Sequence, residues 1–304
     1  VARGRPGALV DETAIASLVQ LARDMTGRYW PVREVCFVNP PPAWVQPYAY
    51  FFGGAVRFEA DCTRLVFSAE GLNLPLRKSD PALLALDVAN HVAALLRQSV
   101  AERGRALLIV SGGSTPVPFF QALARCALDW SAVTITLADE RWLPPDHPDS
   151  NEALVRTHLL RANAAAAHFV PLYNGAATPA EGVPELEATL AALPWPADAV
   201  VLGMGGDGHT ASLFPDAPEL PYALMDAAPA RCLAVAAPTP PNVPVPRVSL
   251  TRRALLDTRQ LIVHLTGEDK LELLHQAMLP GDVAEYPIRA VLQQHALPCH
   301  IFHA

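Results

Sequence analysis

Residues 80–304 of this sequence predict an α/β fold with a mostly parallel sheet flanked by helices, and residues 1–79 predict a small α+β extension. Three observations carry the prediction. The continuous apolar runs at 106–110 and 199–202, joined by mostly apolar strand-like runs at 132–137 and 260–265, argue buried strands of a parallel sheet. Several of these runs open at their carboxyl ends into glycines, hydroxyls or charged residues, which is where such sheets place a ligand crevice. The chain has 304 residues, 51% of them hydrophobic and 17% charged, enough to bury one large core or two smaller ones.

The first part has its own texture. Asp11 can cap a helix whose apolar positions Ile15, Leu18, Val19 and Ala22 recur at helical spacing and which ends near Gly27. Strand-like runs follow at 35–38, 55–58 and 65–67, with a break at the prolines 40–42. A piece of this size has little core of its own and is marginal unless it packs on something. The run 50–58, followed by 65–69 and Leu72-Asn73-Leu74-Pro75-Leu76, resembles the end of the ligand-binding domain of AraC-type transcription regulators, and the likeness extends to residues 80–84. The DNA-binding helix pair of that family does not follow, so this region is read as a remnant or fusion, joined near residues 80–87, with no assigned activity.

From Asp80 the character changes. Asp80-Pro81 starts a helix with Leu83, Leu84, Val88, Ala89, Val92, Leu95 and Leu96 on its apolar face, and it ends before Gly104. The strand 106–110 then opens into Ser111-Gly112-Gly113-Ser114-Thr115-Pro116, with a helix over 119–126. Backbone N–H groups of a glycine turn, two hydroxyls and a helix start together suit a phosphate. The run lacks the P-loop lysine, the dinucleotide spacing and the G-x-S-x-G elbow, which disfavours ATP, NAD and a nucleophilic serine.

The next strand ends in Asp139-Glu140-Arg141-Trp142-Leu143-Pro144. An arginine there can grip a phosphate or carboxylate, although a surface salt bridge explains the same residues. Ser150-Asn151 caps a helix that carries Arg156 on its second turn, and 163–167 reads as a helix end. A short strand, a loop and a helix lie between His168 and Pro196. Further strands are expected at 232–236, at 246–251 with Arg247 at its start, at 260–265 and near 298–302, and the prolines from 238 to 246 mark a loop. Lys270 sits in the first turn of the helix after 260–265, against the helix dipole, which calls for an anionic partner or solvent.

The central stretch follows the strand 199–202. Gly203, Gly205, Gly206 and Gly208 allow a tight turn with positive φ and close approach of a ligand, and His209 stands at the exit. Histidine is the side chain suited to take a proton from water at neutral pH. Asp207 can orient it or touch the substrate. A purely structural turn fits the same residues, while a metal lacks a third ligand at a supporting spacing.

A net charge of −7 and the absence of a Lys/Arg block disfavour nucleic acid. No apolar run reaches about 18 residues, so no membrane partner is expected. The sequence shows no basic-then-apolar leader, and Cys36, Cys62, Cys126, Cys232 and Cys299 are scattered; reduced thiols and a cytoplasmic location are expected.

Taken together, residues 111–116, 139–144 with 150–151, 203–215, 246–251, and Gly267 with Lys270 resemble the glucosamine-6-phosphate isomerase/6-phosphogluconolactonase family, over roughly residues 80–304. The resemblance implies a modified doubly wound, Rossmann-like sheet, no metal and no organic cofactor. Within the family the lactonase branch is favoured. The deaminase branch typically continues into Phe-Asn-Glu-Pro after the histidine, and here Ala211-Ser212-Leu213-Phe214-Pro215 stands instead. The implied activity is hydrolysis of 6-phospho-D-glucono-1,5-lactone in the oxidative pentose phosphate pathway. His209 would be the general base, Asp207 its partner and Arg141 a catalytic cation. Ser111, Gly112, Gly113, Ser114, Thr115, Asn151, Arg156, Gly206, Arg247 and Lys270 would hold the phosphorylated sugar lactone. The alternatives are a deaminase-like isomerase and a non-catalytic sugar-phosphate sensor.

Overall fold

A computed structural model describes residues 12, 15–20, 23, 32–42, 44–67 and 81–304. The chain divides into two compact units, Val1–Lys78 and Ser79–Ala304. The expected cap Asp11, helix end Gly27, run 72–76 and helix start Asp80 lie outside the described residues.

In the first unit residues 15–20 are helical. Strands β1 (Val32–Cys36), β2 (Ala55–Arg57) and β3 (Arg64–Phe67) form one sheet in the order β2-β1-β3. Its core holds Val19, Val32, Val35, Phe37 and Phe52. Residues 50–52, left without a secondary-structure assignment in the sequence, end a helix, α1 (Gln46–Phe52). Pro47 sits in its first turn and Gly53, at φ 70°, closes it, the proline-first, glycine-last signature of a short helix.

The second unit is built on six parallel strands in the order β12-β11-β8-β4-β5-β7. They are β4 (Ala106–Val110), β5 (Val133–Leu137), β7 (His168–Val170), β8 (Ala199–Leu202), β11 (Leu261–Leu265) and β12 (Cys299–His303). Every residue of β4, β8 and β11 is buried, the consequence of covering both faces of a sheet. The order runs outward in both directions from β4, so the switch in direction falls between β4 and β8. A second, antiparallel sheet joins β6 (Asp139–Arg141), β9 (Cys232–Val235) and β10 (Arg247–Leu250) in the order β6-β10-β9.

Helix α2 (Pro81–Arg103) packs on β4 and on α3 (Val117–Leu123). It buries Leu84, Ala85, Val88, Ala89, Val92, Ala93 and Leu96, and Gly104 stops it at φ 70° with its N–H on the Val100 carbonyl. Leu83, expected on the apolar face, is exposed. The helix expected over 119–126 ends at Leu123 and passes into turns through Cys126. The remaining helices are α4 (Asn151–His158), α5 (Pro179–Ala191), α6 (Leu220–Ala223), α7 (Arg252–Leu256), α8 (Glu268–Met278) and α9 (Arg289–Leu292). Residues 163–167, read as a helix end, belong to a separate 3₁₀ turn, Ala162–Ala166 and its cap. Leu108, in the middle of β4 and fully buried, should tolerate truncation poorly. Leu108→Ala is expected to lower the unfolding free energy by about 2–5 kcal/mol, measured by denaturant titration followed by circular dichroism.

Candidate active site

The ends of five strands and two helix starts converge on a cavity of about 290 Å³. Residues 111–116 follow β4, and Gly203, Met204, Gly205, His209, Thr210 and Ala211 follow β8. The cavity therefore lies at the switch between these neighbouring strands, where the loops splay apart. β11 contributes His264, Leu265 and Thr266, and the second sheet contributes Asp139, Arg141 and Arg247. Asn151 enters from the first turn of α4 and Lys270 from the first turn of α8.

His209 is set by its own turn. The Gly205 N–H donates to the His209 carbonyl at 2.8 Å, and the Gly208 N–H to the Gly205 carbonyl at 3.2 Å. Of the four glycines, Gly208 alone takes positive φ, at 80°. Gly205 serves a different need: a Cβ there would stand 2.0 Å from the His209 imidazole, so the missing side chain makes room for that ring. Ala211 also takes positive φ, at 49°, a strained conformation for a residue with a Cβ.

Asp207 binds the His209 Nδ1 through Oδ1, and the same oxygen accepts the His209 backbone N–H at 3.1 Å. Its Oδ2 accepts from Asn242 Nδ2 at 3.0 Å. Burial alone would raise this carboxyl, but the bonds from His209 and Asn242 outweigh it and hold the group well below the ordinary carboxylate range. An ionised carboxylate only accepts, so in the neutral ring Nδ1 carries the proton and Nε2 keeps the lone pair.

The glycine-rich loop has complementary geometry. A Cβ on Gly112 would meet Asn151 Oδ1 at 1.8 Å, and Gly113 lies at φ 97°. Thr115 Oγ1 lies 3.4 Å from Thr266 Oγ1. The Ser111 hydroxyl is buried with no hydrogen-bond partner among the described residues, as are Nε of Arg141 and Nε of Arg247. Unpaired buried polar atoms are costly, and their concentration in one cavity points to a polar ligand.

The Asp139-Glu140-Arg141 run is no surface ion pair. Asp139 and Glu140 are buried. Glu140 accepts backbone N–H bonds from Arg141, Asn151 and Glu152 at 2.7, 2.8 and 2.7 Å, and the Ser150 hydroxyl at 3.2 Å. It thus caps α4 while burial pushes it up to about 7. Asp139 Oδ2 accepts from Ser212 Oγ at 2.5 Å and faces Arg247 Nη1 at 3.9 Å. Asn151 Nδ2 donates to the Asp139 carbonyl at 2.9 Å. Burial lowers Arg247 against the pull of Asp139, and lowers Lys270 against Asp207 and Asp269. The Phe214 ring packs against both the His209 ring, at 4.5 Å, and the Arg247 guanidinium, at 5.1 Å.

Ser111, Gly112, Gly113, Ser114, Thr115, Arg141, Asn151, His209, Arg247 and Lys270 line the cavity together. Asp207 stands behind His209. Gly206 is exposed and sits by Lys270, outside the lining. Arg156 is not brought to the cavity either; it pairs with Glu152 at 2.7 Å and stacks over Phe169 on the outer face of α4. Arg156 follows Asn151 by five residues, which turns it about 140° around the helix, away from the cavity. Among the described residues no group of three His, Cys, Asp or Glu could hold a metal.

Three participants escaped the sequence. Asp139 lay inside a charged run without a distinguishing pattern, and Asn242 inside a proline-rich loop. His264 stood within an apolar strand; it is buried, and both ring nitrogens lack partners among the described residues. Burial lowers it to about 4.

The fold and this constellation place the chain in a class: residues 79–299 match the glucosamine-6-phosphate isomerases/6-phosphogluconolactonase family, to which the chain belongs. Within that family it is similar to 6-phosphogluconolactonases. The one from Pseudomonas aeruginosa is 46% identical over 69% of this chain and 87% of the relative. The crystal structure of the one from Shewanella baltica is 45% identical with a TM-score of 0.71, over 74% of this chain and 94% of that one. A monomeric glucosamine-6-phosphate deaminase, at 17% identity and a TM-score of 0.60 over 73% of this chain and 94% of that one, shares the fold. Residues 2–76 match the arabinose-binding domain of AraC transcription regulators.

His264 makes a prediction about stability. Its folded value of about 4 lies below the ordinary 6.5, so its neutral form supports the fold above pH 6.5 and that support is lost as pH falls toward 4. Replacing an orphaned polar ring by an apolar one of similar shape is neutral or favourable. His264→Phe is therefore expected to match or exceed wild type in unfolding free energy at pH 7, with its advantage growing between pH 6.5 and 4 in denaturant titrations.

Proposed function

We propose that residues 80–304 hydrolyse 6-phospho-D-glucono-1,5-lactone to 6-phospho-D-gluconate, the lactone-opening step of the oxidative pentose phosphate pathway, with His209 as general base. The observation that carries this reading is an imidazole with its Nδ1 on an ionised Asp207, at a cavity that also holds Arg141, Arg247 and Lys270. A lactonase needs that combination: a base for water, and cations for two anions, one permanent and one transient.

His209 Nε2 removes a proton from water as the water oxygen attacks the lactone carbonyl carbon, whose π electrons move onto oxygen. Collapse of the tetrahedral oxyanion breaks the bond from that carbon to the ring oxygen. The departing oxygen takes the proton back from the imidazolium and becomes a hydroxyl, while the new carboxylic acid ionises to solvent. Asp207 stabilises the imidazolium between these steps and fixes the tautomer. Residues 111–115 shape the pocket around the phosphate and sugar hydroxyls, with the unpaired Ser111 hydroxyl available to them. Arg141, Arg247 and Lys270 share the phosphate and the developing oxyanion, and Asn151 supplies a neutral donor or acceptor beside them. Arg156, paired with Glu152 and stacked over Phe169, supports α4 in this reading and takes no part in holding substrate.

Two further readings belong to the proposal. The location is the cytoplasm, on the evidence of five free cysteines; among the described residues no helix is long and apolar enough to cross a membrane. The first 79 residues are a separate domain without a part in the chemistry.

Turnover of freshly generated lactone, corrected for spontaneous hydrolysis, is the test. His209→Ala is expected to lower kcat by about 10²–10⁴-fold while still binding 6-phosphogluconate in calorimetry; full activity in that variant would overturn the mechanism, and an inactive folded wild type would overturn the function. A chain lacking residues 1–79 should retain kcat/KM within about twofold, and loss of activity in a folded truncation would tie the first unit to catalysis.

A further inference from the structure

The loop between β9 and β10 has five prolines in nine residues, 238–246. Proline fixes φ and lowers the entropy that a loop loses on ordering. Between those prolines stand Asn242 and Val243, and each makes one bond into the active site. Asn242 Nδ2 donates to Asp207 Oδ2 at 3.0 Å, and the Val243 carbonyl accepts from Arg247 Nη2 at 3.2 Å. The Asn242 N–H closes the turn on the Thr239 carbonyl at 3.2 Å. One stiffened dipeptide therefore touches the partner of the base and a buried cation of the cavity.

We infer that Asn242 is a positioning residue for hydrolysis, the third member of a His209–Asp207–Asn242 chain, holding the carboxylate in the rotamer that orients the imidazole. The argument rests on the reading of His209 as the base. Asp207 sits on a glycine turn, and the described residues give its Oδ2 no other hydrogen-bond partner. Without the amide that oxygen turns to solvent and the carboxylate is free to rotate about its side chain. An amide suits the position because it donates without carrying charge: a second carboxylate would repel Asp207, and a cation would compete with His209 for it. The bond reaches the reacting atoms through two others, as outer partners of a functional histidine commonly do.

The groups facing the pair set what a change in charge would do. Lys270 approaches Asp207 from α8, Arg247 on β10 packs over the Phe214 ring that also meets His209, and Tyr286 packs against Gly208 from the segment before α9. These are cations and a phenol. A new carboxylate at position 242 would therefore be the second acid beside His209 and would stabilise its imidazolium.

The full chain is assayed on fresh lactone across pH as wild type, Asn242→Ala, Asn242→Asp and His209→Ala. Asn242→Ala is expected to lower kcat about tenfold with KM and the affinity for 6-phosphogluconate unchanged. Asn242→Asp should move the acid limb of kcat/KM upward by about one pH unit. A kcat unchanged in Asn242→Ala, a loss that appears in KM or product affinity instead, or an acid limb unmoved in Asn242→Asp would each overturn the role. If His209→Ala is inactive while both Asn242 variants behave as wild type, the inference about Asn242 fails and the base stands; if His209→Ala is active, the base assignment falls and the inference with it.

Discussion

A single buried carboxylate, Asp139, holds the site's separate sources together. It lies on the short strand β6 of the second sheet, takes the Ser212 hydroxyl from the loop after β8 and faces Arg247 on β10. Its own carbonyl takes the Asn151 amide from α4. A guanidinium as buried as Arg247 is expensive to desolvate without a countercharge, and Asp139 supplies it at 3.9 Å. The parallel sheet supplies the crevice and the glycine turns, while this carboxylate brings the second sheet's charges to it.

The His209 imidazole is held by packing as well as by hydrogen bonding. Phe214 packs against both its ring and the Arg247 guanidinium, and the two line one cavity. Asp207 takes Nδ1 of the imidazole and so fixes which ring nitrogen keeps its lone pair. The sources divide by sheet: loops after the parallel strands deliver His209 and the hydroxyl-rich run 111–115, and the antiparallel sheet delivers Arg141 and Arg247. Helix α8 adds Lys270 by a first turn that begins at Gly267, where φ is 97°.

Much of this was legible in the sequence. Buried strands announce themselves as mostly apolar runs, so β4, β5, β8 and β11 were placed to within a residue or two, and the polar residues after them were read as lining one crevice, as the cavity now has them. What escaped depended on tertiary placement. The sequence cannot distinguish Arg141, which enters the cavity, from Arg156, which lies on the outer face of a helix, because both follow motifs of similar polarity. Nor could it foresee that Gly205 and Gly112 are small for the sake of side chains from elsewhere. His264 read as a strand residue because its neighbours are all apolar, and Asn242 was hidden by prolines that signal only a loop. In the first unit α1 went unread, because seven residues are too few to show a helical period and its only marks are Pro47 and Gly53 at its ends.

The two tight glycines carry a lesson for inferring activity in related chains. At position 205 the absent methyl is filled by His209, and at position 112 by Asn151. A descendant that acquired alanine at either place would keep every acid, base, cation and hydroxyl of the site, yet the displaced side chain would no longer stand where the lactone requires it. An inventory of polar residues would pass such a chain as an enzyme. The discriminating information lies in hydrogen atoms that have no chemistry of their own.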